Sequence, residues 1–136
     1  MTTPFEWKES YATDIKSIDR QHEKLLEILN ALTAAMDRGA PKTELVDLFG
    51  ELLRFTKLHF TYEERLLAEH HYPELEAHTN EHNLLLSRGR ALQSFIQDGK
   101  LEFTKNVTIF LNDWLADHLV NCDQKYANFL IQRGVQ

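Results

Sequence analysis

The chain has 136 residues, 43% apolar and 26% charged, with five glycines, three prolines and one cysteine. That is enough for one domain with one core, and too ordinary a mixture for a disordered or low-complexity chain. A formal charge of −6 without a local basic run argues against a nucleic-acid surface. The first residues carry no basic segment leading into an apolar run, and no uncharged stretch nears the ~18 residues of a membrane span. The lone Cys122 forms no intrachain disulfide and suits a reducing compartment. The expectation is a cytoplasmic protein, with no membrane insertion and a monomer favoured.

An extended N-terminal arm, about residues 1–16 with Phe5 and Trp7, comes first. Four helical patterns follow. Ile18, His22, Leu25, Leu29, Leu32 and Met36 step by three and four, until Gly39 and Pro41 supply a stop and a restart. Leu45, Leu48, Leu52, Phe55, His59, Glu63 and Leu66 form the second stripe, which ends near His70–Pro73. Pro73 is placed to open the third, through Leu75, His78, His82, Leu85, Gly89, Leu92 and Ile96, closed by Asp98-Gly99. Thr104 is the expected N-cap of the fourth, through Val107, Phe110, Trp114 and His118. Short connections between long helices predict an all-α, antiparallel up-down-up-down four-helix bundle with a short extended N-terminal arm. The chain is expected to be a single domain over 1–136, with the bundle at about 17–134.

The polar residues inside those apolar stripes carry the argument. His22, His59, His78, His82 and His118 each stand where a leucine is expected, and every helix contributes at least one. One inward histidine is an ordinary core residue; five in phase across four helices must be satisfied by something. His59 and Glu63 are four apart, as are His78 and His82, so each pair shares a helical face. His118 and Asp123 are five apart, about 140° on an ideal helix. The stripe nevertheless shifts phase there, with Asp123, Tyr126 and Leu130 continuing it, which predicts a π-type bulge between them. By contrast His70 and His71 fall out of phase and read as solvent-facing. Glu64 is out of phase with His59, and Glu69, Glu74 and Glu76 read as solvated or first-turn charges.

Seven donors exceed one tetrahedral zinc. Imidazole and carboxylate without thiolate fit iron, manganese or zinc, and disfavour calcium and magnesium. Two octahedral metals sharing both carboxylates and one solvent oxygen would leave a single position open for one small ligand. Five neutral imidazoles against two anions reverse the balance of the ferritin-like di-iron bundles. High-valent iron is then less well stabilised, which favours binding oxygen over activating it.

The segments IDRQH ending at His22, HFTYEE from His59, YPELEAHTNEH ending at His82 and WLADHLVNCD ending at Asp123 together resemble the hemerythrin family, its single-domain bacterial members in particular. The resemblance implies two non-haem iron ions with an oxo or hydroxo bridge. His78, His82 and His118 would bind one iron, His22 and His59 the other, and Glu63 and Asp123 would bridge them. It implies reversible O2 binding, with O2 held as hydroperoxide on the iron that has two histidines, in a carrier, store or delivery protein rather than an enzyme. Leu25, Phe60, Trp114 and Leu115 would line a dry O2 pocket. An oxygen-consuming enzyme is a candidate partner. An O2 or redox sensor, a di-iron oxidase or peroxidase, and a zinc-binding or iron-buffering bundle are the rival readings. His71 stands where relatives often have glycine and Leu67 where they often have methionine; neither is a ligand position. Cys122 reads as a small buried residue.

Overall fold

The computed structural model describes residues 12–99, 105–118 and 123–135. Phe5, Trp7, Thr104 and Cys122 therefore lie outside the described residues, as does most of the expected arm. Five helices and no strand occur among the described residues: α1 (Lys16–Asp37), α2 (Lys42–Glu69), α3 (Leu75–Gln97), α4 (Lys105–Asp117) and α5 (Asp123–Gln132). Together α4 and α5 carry the fourth pattern.

Two apolar clusters reveal how the helices run. The larger holds Leu25, Leu29, Leu32, Phe49, Leu52, Phe60, Leu85, Ile96, Leu111 and Leu115. The smaller holds Ile15, Ile18, Leu67, Tyr72, Tyr126 and Leu130. Along α1 the chain passes from the smaller cluster at Ile18, through His22, to the larger at Leu25. Along α2 it returns, from Phe60 past Glu63 to Leu67. Along α3 it goes up again past His78 and His82 to Leu85, and the fourth pattern comes down from Leu115 past His118 to Tyr126. This alternation is the up-down-up-down bundle, and the histidines form a polar layer between its two apolar ends.

The short connections are made by helix caps. After α1, the Gly39 N–H bonds the Met36 carbonyl and the Ala40 N–H bonds that of Ala35, a Schellman motif with Gly39 at φ +72°. The end of α2 repeats it: the His71 N–H bonds the Ala68 carbonyl and the Tyr72 N–H that of Leu67. Here, however, the left-handed position is held by His71 at φ +55°, and Tyr72 and Leu67 supply the apolar contact of the motif. His71→Gly should therefore relieve about 1–2 kcal/mol of left-handed strain against roughly 0.4–1 kcal/mol of added unfolded-state entropy. A net gain of about 0.5–1 kcal/mol is expected, read as a rise of a few degrees in Tm. No rise, or a fall, would show that His71 makes a compensating contact.

One stripe needs correction. Phe110, placed inward by the sequence pattern, is 42% exposed, while Leu111 is buried. Steps of three and four are both helical, both residues are apolar, and packing of Val107, Leu111, Trp114 and Leu115 into the larger cluster selects the alternative phase. Within α2 the buried face likewise includes Phe49, Leu53, Thr56, Phe60 and Leu67, while Leu48, Phe55 and Leu66 stand at its margins.

Candidate metal centre

His22, His59, Glu63 and His82 are fully buried, His118 is 2% and His78 4% exposed. They come from α1, α2, α3 and the end of α4, where His118 sits in a π-helical turn. The stretch between His118 and Asp123, where the phase shift predicts a bulge, lies outside the described residues. Asp123 begins α5; its side chain and residues 119–122 are outside the description. His70 and His71 stay out of the layer, His71 exposed and His70 half-buried.

The centre is organised around the two oxygens of Glu63. Oε1 lies 2.5 Å from His59 Nε2, 3.4 Å from His22 Nε2 and 3.9 Å from His118 Nε2. Oε2 lies 3.2 Å from His82 Nε2 and 3.4 Å from His78 Nε2. Two donor groups result, His22, His59, Glu63 and His118 on one side, Glu63, His78 and His82 on the other, each with its donor atoms within 4.8 Å of one another. His118 thus stands with His22 and His59, whereas the resemblance pairs it with His78 and His82. Its ring centroid is 5.5 Å from that of His59 and 5.4 Å from that of His82. The ring body is thus about as near to His82 as to His59, while its Nε2 faces the His59 side.

The donor set fits a metal. His59 Nδ1 is 2.6 Å from Gln21 Oε1; a carbonyl oxygen accepts, so the ring's proton belongs on Nδ1 and the Nε2 lone pair is left for the centre. That lone pair faces Glu63 Oε1 and, at 2.9 Å, His22 Nε2. His82 does the same more loosely, turning Nδ1 to Glu64 Oε2 at 3.4 Å and Nε2 inward, where it has no hydrogen-bond partner; neither has Glu63 Oε1. Acceptors converging in a buried layer repel one another, and a cation among them removes that cost. When the rings carry protons in place of a metal, burial pushes the Glu63 carboxyl up, but the charge of His59 and hydrogen bonds from His22, His59 and His78 outweigh it. The carboxyl is held well below the usual carboxylate range and stays anionic.

Gln21 and Glu64 were not legible as site residues. Glu64, out of phase with His59 in the sequence, is only 26% exposed and reaches His82. Each adjoins a donor in sequence, His22 and Glu63, but serves a ring on another helix, which single-helix periodicity cannot register. Gln21→Ala should weaken metal binding by about 10–100-fold with helicity intact, measured by competition with a chelator. An unchanged affinity would mean that His59 is oriented by packing alone.

The candidate pocket residues are all core residues. Leu25, Phe60, Trp114 and Leu115 belong to the larger apolar cluster. Phe60 stacks on His82, centroids 3.7 Å apart and planes 2° from parallel. Trp114 donates its Nε1–H to the Leu85 carbonyl at 3.2 Å, so its one polar group is already engaged.

Comparison with known proteins identifies the family. A family model, the hemerythrin HHE cation binding domain, matches residues 13–130. A bacteriohemerythrin of Stenotrophomonas maltophilia is 29% identical over 122 residues, covering 90% of this chain and 78% of that protein. A hemerythrin-like protein of Naegleria gruberi is 27% identical over 128 residues, 94% and 95% of the two chains. The crystal structure of a wild-type hemerythrin superposes with a TM-score of 0.85 at 25% identity, covering 93% of this chain and 97% of the other.

Proposed function

Because this chain belongs to the hemerythrin family, we propose that it binds O2 reversibly at a non-haem di-iron centre, as a carrier, store or delivery protein rather than an enzyme. The observation that carries this reading is the division of Glu63, whose two oxygens face separate groups of histidines. One carboxylate serving two donor groups is what a bridged pair of metals requires. His22 and His59 would hold one iron and His78 and His82 the other, with His118 as the third histidine of the latter once its ring turns. Asp123 would be the second bridge. The pair of ferrous ions would supply the two electrons that bound O2 takes up.

The chain's own part is to hold, orient and keep dry. Gln21 and Glu64 fix the rings of His59 and His82 through their outer nitrogens. Leu25, Phe60, Trp114 and Leu115, none more than 8% exposed, would exclude the water and anions that displace a weak ligand. No helix among the described residues is long and apolar enough to cross a membrane.

Anaerobic reduction followed by O2 titration, with iron quantified per chain, tests the proposal. A carrier is expected to form a persistent coloured oxygenated species and to return the O2 under vacuum. Rapid bleaching with peroxide release would favour an oxidase instead, and a metal content dominated by zinc in protein from its native source would remove the reading altogether.

A further inference from the structure

We propose that the groove between α2 and α3 is a second binding site, for a small oxyanion of the phosphate class, separate from the metal centre. The groove is a cavity of about 290 Å³ lined by Gly50, Leu53, Arg54, Lys57, Arg90 and Gln93. Three cations and an amide line it and no carboxylate does, in a chain whose formal charge is −6. Arg54 and Arg90 are far apart in sequence, so only the antiparallel packing of α2 on α3 assembles the set.

Several features distinguish this groove from an ordinary solvated face. Arg54, Lys57 and Arg90 pair with no carboxylate among the described residues, whereas Lys24 and Arg38 elsewhere on the surface have Glu27 and Glu44. Arg54 and Lys57 also line the neighbouring depression that reaches Arg65, which no carboxylate lines either. The floor is shaped by Gly50, where a Cβ would meet Gln93 Nε2 at 3.0 Å. Without that Cβ the Gln93 amide has room to approach α2, as an uncharged donor beside the cations. Two guanidinium groups, an ammonium and an amide offer donors in several directions, the arrangement that a tetrahedral dianion satisfies and a chloride does not. Like charges gathered without a partner repel, and a bound dianion removes that repulsion.

The test is calorimetric titration of the iron-loaded protein with inorganic phosphate at fixed ionic strength, beside an equal-ionic-strength chloride control. Saturable phosphate binding is expected, weakened at least about tenfold by Arg54→Gln with Arg90→Gln, since charged hydrogen bonds contribute that much or more. Gly50→Ala should also weaken it by displacing the Gln93 amide, in a variant that improves helix propensity and so keeps the fold. Lys24→Gln should leave it unchanged. Iron content and iron absorption should be the same in all of these variants. Absence of saturable binding, an equal response to chloride, or full binding by the double variant would overturn the site. So would phosphate binding that is reported by a changed iron absorption, because the anion would then be at the metals.

Discussion

Glu63→Gln is expected to strip the protein of most of its iron while leaving its helix content in place. Every described histidine donor is within 3.9 Å of a Glu63 oxygen, and glutamine keeps the shape but removes the anion. His118→Ala should also lose iron, whereas His71→Ala should keep it, because His71 caps α2 at the surface. Iron per chain, with circular dichroism as the check on folding, reads all three. Equal iron in Glu63→Gln and the native chain would overturn the bridging role.

The same substitution has a pH signature in the metal-free protein. Glu63 has a depressed carboxyl pKa in the fold, against about 4.3 when unfolded. Its contribution to stability is present above the unfolded value and is lost as pH falls through the folded one. Glu63→Gln cannot titrate, so its loss of stability on acidification should be shallower. Parallel acid limbs for the two proteins would show that the carboxylate does not couple to folding.

Phe60→Ala should cost roughly 3–5 kcal/mol, the usual range for emptying a buried aromatic site. Phe60 is 1% exposed and touches the metal layer as well as the apolar cluster: it stacks on His82 and lies 4.8 Å from His118 and 6.0 Å from His59, centroid to centroid. At a few degrees per kcal/mol for a domain of this size, Tm should fall by about 10–20 °C. The cavity would also open beside the rings, so the oxygenated species should decay faster in this variant than in Phe60→Leu, which keeps most of the volume. If both decayed at the native rate, the ring would be a packing residue and no barrier to water.

The bundle and its histidines were readable because imidazole replaced leucine at regular helical steps, a signal carried within each helix. Phe110 and Leu111 were not separable that way, since two adjacent apolar residues fit steps of three and four equally well. Gln21 and Glu64 act across helices, and nothing in their own helix marks them. The basic groove was missed for a related reason: Arg54 and Arg90 belong to no local run, and net charge conceals a cluster that only packing assembles. His71, noted as a departure from glycine, became explicable only once its φ of +55° was known.

The polar layer between the two apolar clusters also makes any metal held there a removable cross-link. His22 and His59 are 37 residues apart, and His59 and His118 are 59 apart, so a shared metal centre would close long loops in an otherwise untied chain. By analogy with a disulfide, each such closure limits the freedom of the unfolded chain by about 4 kcal/mol. Chelation would then release a topological constraint as well as ligand bonds. The metal-free chain would have its hinge of least resistance at mid-height, where converging acceptors replace packed methyl groups, and amide exchange there should quicken before it does at either end.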